Sequence, residues 1–160
     1  MLANARRDLI HPHSEYKKES GAQQFLFGDD LQVIPVPFLF DNLAYILLWK
    51  PTGQYCLVDP ADFEAVHEVM EEYGIEGAPE AIITTHKHHD HAAHNQRFVI
   101  EYPDVKVISG ANEAVLAETT KMMDGDTLDL LSGGIILKAI ESPCHTAGHT
   151  MFEVKVTNSD

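Results

Sequence analysis

Ala81-Ile82-Ile83-Thr84-Thr85-His86-Lys87-His88-His89-Asp90-His91 is the stretch on which the fold turns, because a short apolar run passes directly into a cluster of imidazoles. Ala81 to Thr85 is apolar and β-branched, follows the loop residues Gly77-Ala78-Pro79, and predicts a strand buried on both faces. Five of the chain's ten histidines fall between His86 and His94. A loop held at the end of a buried strand can aim several side chains at one point. Neutral imidazole and carboxylate are ligands that zinc, iron and manganese accept. The spacing offers two sets: His86 and His88 toward one ion, and Asp90 with His91, turned the other way round the loop, toward a second. His145, in Pro143-Cys144-His145 after another strand-like run, is a further candidate. With His86 and His88 it makes a three-imidazole site whose fourth position is open to water. The plainer alternative is a His-rich surface loop that binds metal adventitiously. An aspartate inside the cluster and a distant strand-end histidine count against it.

Upstream, Leu31 to Phe40 and Leu43 to Trp49 are strand-like, Lys50-Pro51-Thr52-Gly53 supplies a turn, and Tyr55 to Val58 returns as a third strand, an antiparallel β start. Phe63, Val66, Val69, Met70 and Tyr73 recur at helical spacing, with Asp62 placed to cap the first turn and Gly74 to stop the last. That stripe is core, and His67 within it reads as a partly exposed helical residue. Downstream, Ala92 to Tyr102 predicts a helix, Val105 to Ser109 a strand, Ala111 to Thr119 a helix, and Ile135 to Ile140 a strand after turns at Gly125 and Gly133-Gly134. Alternating strands and helices give an α/β layered fold. Residues 1–30 are polar and read as an N-terminal extension, with residues 31–160 as one domain. The His11/His13 pair in the extension reads as solvated.

The 160 residues carry 25 acidic and 11 basic side chains, a formal charge of −14, which repels a nucleic-acid backbone. Leu43 to Trp49 is the longest apolar run and far too short to span a bilayer, so no membrane partner is expected. Cys56 and Cys144 form no CxxC pair, which argues against a disulfide framework and fits a reducing compartment. Met1 to Ile10 lacks the apolar core of a signal peptide. A cytoplasmic location is expected, with Arg6 and Arg7 as the only hint of a mitochondrial leader.

His86-x-His88-x-Asp90-His91 resembles the HxHxDH motif of the metallo-β-lactamase superfamily. Ser142-Pro143-Cys144-His145-Thr146-Ala147-Gly148-His149-Thr150 is similar to the corresponding block of glyoxalase II, the hydroxyacylglutathione hydrolases, as are the placements of Asp41-Asn42 and Val58-Asp59-Pro60. The resemblance implies an αββα sandwich and two divalent ions, zinc first, with iron or manganese as alternatives. His86, His88 and His145 would hold the first ion, Asp90 and His91 part of the second, with Asp90 beside the activated water. Asp59 would orient the ligand loop by hydrogen bonding. His89, His94 and His149 match positions that are not ligands. Lys87 and His89 stand where the family usually has His and Trp.

The implied activity is hydrolysis of an S-2-hydroxyacyl conjugate of glutathione or a related thiol, part of methylglyoxal detoxification. The family pattern continues past Asp160 with a bridging aspartate, a further histidine and a helical region that grips glutathione, so the sandwich is expected to be incomplete at its C-terminal side. Open sheet edges would then favour self-association. Two other readings stay open: a mononuclear-iron persulfide dioxygenase, and a catalytically incomplete metal-binding fragment. Cys144 reads as a packing residue rather than a nucleophile.

Overall fold

The computed structural model describes residues 25–27 and 29–157. Most of the expected N-terminal extension, with Arg6, Arg7, His11 and His13, lies outside them. Strands β1 (Phe25–Phe27), β2 (Leu31–Phe38), β3 (Asn42–Trp49), β4 (Gln54–Val58), β5 (Ala81–Thr84), β6 (Lys106–Gly110) and β7 (Thr120–Met122) form one sheet in sequence order. Pairing is antiparallel from β1 to β4 and parallel from β4 to β7. Strands β8 (Thr127–Leu130), β9 (Ile135–Glu141) and β10 (Thr150–Val156) form a second, antiparallel sheet in the order β10-β9-β8. Helix α1 (Phe63–Tyr73) crosses from β4 to β5, and α2 (His89–Ala92) with α3 (Asn95–Glu101) crosses from β5 to β6.

Strand periodicity sorts the large sheet into two cores. Ile34, Val36, Ala44, Ile46, Tyr55, Leu57 and Ile82 face one way and meet Val66, Val69 and Met70 of α1 and Phe98 of α3. Leu47, Trp49, Cys56, Ala81, Ile83 and Ile108 face the other way and meet Leu130, Ile135, Leu137 and Ala139 of the second sheet. Helices, sheet and sheet thus stack in layers, and each fully buried aliphatic side chain contributes about 1.5–3 kcal/mol. The buried run predicted for β5 follows from this position, since all its residues are covered from both sides.

Helix α1 begins and ends where its caps require. Asp62 Oδ1 accepts from Ala65 N at 3.0 Å, and Gly74 takes the left-handed conformation, φ 63°, that closes the helix without a Cβ clash. Among the described residues β1 pairs with β2 only as far as Val33, which leaves the edge beside Pro35 and Pro37 without a ladder bond to lose.

Elsewhere local pattern was overridden. The helix expected over Ala92 to Tyr102 is broken between α2 and α3, because the His94 ring turns to accept the Phe63 backbone N–H at 2.8 Å and its carbonyl starts α3 by accepting from Phe98 N. The helix expected over Ala111 to Thr119 is a series of turns. Glu118 folds back to accept from Ser109 Oγ and Val115 N, Glu113 is buried at 2% exposure, and Ala117 adopts φ 62°. Strand β1 lies inside the stretch expected to be an extension, so among the described residues the sheet includes Phe25–Phe27 before Leu31. Strands β7, β8 and β10 stand where no element is expected, although Thr127–Leu130 and Phe152 to Val156 alternate polar and apolar residues, and the turns at Gly125 and Gly133 stand where expected, with φ 84° and 79°. No helix among the described residues is long and apolar enough to cross a membrane.

Candidate metal centre

The parallel strands β4 and β5 end side by side, which puts the residues after them, Asp59 and Thr85, within bonding reach. Asp59 is 6% exposed and sits at φ 48°, a conformation that Asp tolerates better than most side chains. Its Oδ1 accepts from Thr85 N at 2.8 Å, and its Oδ2 accepts from Thr85 Oγ1 at 2.8 Å and from His91 Nδ1 at 2.9 Å. A buried carboxylate is tolerated when its oxygens are paired in this way.

These bonds set a tautomer. The Thr85 hydroxyl proton is committed to Asp59, so Thr85 Oγ1 must accept from His86 Nδ1–H, 2.9 Å away. The proton is therefore on Nδ1, and the lone pair on His86 Nε2 points into the site. That nitrogen is buried and has no hydrogen-bond partner. Burial first, then the neighbouring His91, pushes His86 down to about 4, so the ring is neutral, the form that binds metal.

His88 and His145 complete the group. His88 Nδ1 and His145 Nε2 are 2.9 Å apart, and the rings of both lie with centroids 4.8 Å from that of His86. One ligand atom from each of the three falls within 4.8 Å of the others. His145 reaches this point because its loop is folded tightly: Cys144 N bonds Thr146 O, Ser142 N bonds His149 O, and Thr150 N bonds Thr85 O. An orphaned, desolvated imidazole nitrogen facing two further imidazoles is the donor set a divalent ion would satisfy, so these residues fit a metal.

Asp90 and His91 lie beside this group. His91 is 4.2 Å from His86 by ring centroids, and its Nε2 is 3.5 Å from Asp90 Oδ2. The hydrogen bond from His91 to Asp59 raises the imidazole's pKa against the opposing effect of burial. Asn42 donates its amide to Asp90 Oδ2 at 2.9 Å and to Asp90 O at 3.2 Å, which holds that carboxyl below its usual range. Asp90 and His91 do not form a three-residue ligand group among the described residues.

Three further histidines have other work, while His89 is exposed. His94 caps α1 through Phe63 N. His67 stacks on Phe63 and joins Phe63 O to Tyr102 OH, away from the cluster. His149 lies 5.2 Å from His86 by ring centroids, and its backbone closes the His145 loop. A second acidic group, Asp62, Glu64 and His94, is already engaged in capping α1 and in an ion pair with Arg97.

Sequence reasoning missed Glu113. It accepts from Thr146 Oγ1 and pairs with Lys87 Nζ at 3.0 Å. Burial alone would raise its pKa, but these two donors outweigh burial and leave it lowered. A lone glutamate in Asn112-Glu113-Ala114 carries no local signal that would have revealed the role.

Layering, strand order and a histidine-lined loop at the ends of parallel strands define the metallo-β-lactamase fold, and solved structures agree. BJP-1, a subclass B3 metallo-β-lactamase of Bradyrhizobium japonicum, superposes with a TM-score of 0.66 at 19% identity over 85% of this chain and 58% of that one. The Cronobacter sakazakii metallo-β-lactamase with an HARLDQ motif also gives 0.66 at 19% identity, over 85% of this chain and 61% of that one. The chain has the metallo-β-lactamase fold, and the curated relatives it matches over about three quarters of its length are named hydroxyacylglutathione hydrolases. The cytoplasmic hydroxyacylglutathione hydrolase of Arabidopsis thaliana is 35% identical over 124 residues, 78% of this chain and 47% of the relative. That of Synechococcus sp. (strain JA-2-3B'a(2-13)) is 32% identical over 124 residues, 76% and 48% of the respective lengths. The chain spans about half the length of these relatives. No protein-family model matches it.

Proposed function

We propose that this chain is the metal-binding part of a thioester hydrolase that cleaves an S-2-hydroxyacyl conjugate of glutathione, or of a related thiol, to a hydroxy acid and the free thiol. The observation that carries the reading is the buried lone pair of His86 Nε2, fixed by Asp59 through Thr85 and facing His88 and His145. In this reading His86, His88 and His145 hold one divalent ion, and Asp90 and His91 contribute to a second, zinc before iron or manganese. When bound, such ions supply a water acidified toward neutrality and a positive charge for the carbonyl oxygen.

The protein's own residues prepare the site for that chemistry. Asp59 orients the Thr85–His86 relay and the His91 ring at once. Asn42 keeps the Asp90 carboxylate ionised and in place. The substrate assignment rests on the relatives' names and the metal dependence on the fold and donor set.

The test is metal content per chain, measured without a histidine tag, together with loss of S-lactoylglutathione absorbance. Bound divalent metal and thioester hydrolysis are expected. A single iron with oxygen uptake on glutathione persulfide would replace the hydrolase with a dioxygenase. Bound metal with neither turnover would leave a metal-binding protein and refute the hydrolase.

A further inference from the structure

Glu113 stands at the turn after β6, on neither of the loops that carry the histidine cluster, yet it touches both. Lys87, between His86 and His88 in the chain, places Nζ 3.0 Å from Glu113 Oε1. Thr146, which follows His145, donates its hydroxyl to Glu113 Oε2. The Glu113 side chain is 1% exposed, whereas that of Lys87 is 50% exposed. Backbone packing brings the same two segments together. A Cβ at Gly148 would come within 2.2 Å of Asn112 O and 2.6 Å of Glu113 N, so the His145 loop rests directly on this turn.

A carboxylate is an expensive way to fill such a space, since desolvating it costs several kcal/mol unless each oxygen is paired. Packing alone would be served by an apolar side chain of similar volume. What a carboxylate adds is an acceptor for the Thr146 hydroxyl on one loop and a negative charge for Lys87 Nζ on the other, the Oε1–Nζ contact being an ion pair and Oε1 having no hydrogen bond of its own. The geometry points to Glu113 as a positioning residue that clamps the His86–His88 loop to the His145 loop, so that the three imidazoles are held together before any ion arrives. Lys87 then has a use that its sequence position does not suggest: it is the cation on this clamp. The inference rests on the proposed metal centre.

The clamp is tested on the full chain by Zn2+ affinity in competition with a chromophoric chelator, and by the visible absorption of the Co2+-substituted protein. Glu113→Ala is expected to weaken Zn2+ binding by about 10–100-fold, the range for residues that orient ligands, and to alter the Co2+ bands. Thr146→Val and Lys87→Met should each weaken it less, and in the Glu113→Ala background neither should add a further loss, because both act through the same carboxylate. If Glu113→Ala does not fold, the two milder variants and their combination carry the test. Unchanged affinity and Co2+ spectra in folded variants would overturn the clamp while leaving the metal centre standing. A wild-type chain that binds neither Zn2+ nor Co2+ would overturn both.

Discussion

Asp59 Oδ2 lies 2.9 Å from His91 Nδ1, while the same oxygen takes the hydroxyl of Thr85. One carboxylate at the end of β4 thereby fixes both ends of the histidine loop that follows β5. Asp59→Ala removes every one of these acceptors and puts a Cβ-bearing residue with no local hydrogen bond at φ 48°. A loss of about 2–4 kcal/mol in urea unfolding is expected. Asp59→Asn tolerates the backbone angle and keeps one acceptor, so it should lose less. Equal losses for the two would mean that neither the backbone angle nor the retained acceptor matters, and that loss of the ionised carboxylate sets the effect.

Metal should stabilise the folded chain, because only that state brings the three imidazoles together around the buried, unpartnered His86 Nε2. At a free Zn2+ concentration about 100-fold above Kd, the gain is about 2.7 kcal/mol, read as a rise in melting temperature that a chelator reverses. His86→Ala should abolish the rise. His67→Ala, which removes a ring bonded to Phe63 O and Tyr102 OH, should leave it in place. Loss of the rise in both variants would count against the three-histidine site.

The two cysteines should differ sharply toward iodoacetamide. Cys56 is fully buried between the sheets, and burial pushes its thiol up to about 12, so almost no thiolate is present at neutral pH. Cys144 is exposed on the His145 loop. Native protein should take up one alkyl group, at Cys144 by peptide mass mapping, with Cys56 reacting only after denaturation. Rapid labelling of Cys56 in native protein would mean that the packing between the sheets opens.

Glu118 gives a pH dependence independent of the histidines. Burial by itself raises its pKa, but the bonds from Lys121, Ser109 and Val115 outweigh it, and the carboxyl is lowered in the fold. Its folded pKa being below the unfolded value, the stabilisation is present above about pH 4.3 and is lost as pH falls through the folded pKa. Glu118→Gln should therefore cost about 1 kcal/mol at pH 7 and progressively less below pH 4. Urea unfolding at pH 7, 5 and 3.5 checks this. A gap that stays constant with pH would show that the charge contributes nothing.

Much of the molecule was readable because the signals involved are local. Helix α1 was legible from an apolar stripe of helical period with Asp62 and Gly74 at its ends, since a cap acts within one turn. Strand β5 was legible from its unbroken apolar run into His86, since a strand covered from both sides has no polar face to show. The ligand candidates His86, His88, Asp90, His91 and His145 could be named from spacing and motif. The turns over Ala111 to Thr119 were not legible. Their residues have ordinary helical propensity, and what unwinds them is Glu113 and Glu118 folding toward distant partners, Thr146 and Lys87 for one and Ser109 for the other.

By itself, then, the sequence determined the layered α/β class, the strand that delivers the histidine loop and the residue types able to hold metal. These depend on period, caps and motif, each set within a few neighbours. Only the tertiary structure decided that His145 meets His86 and His88, that Asp59 reaches the histidine ring through Thr85, and that Glu113 joins the two loops. Those contacts exist because parallel strands end side by side and the second sheet packs on the first, and the free energy that brings such segments together is the burial of apolar surface between the layers.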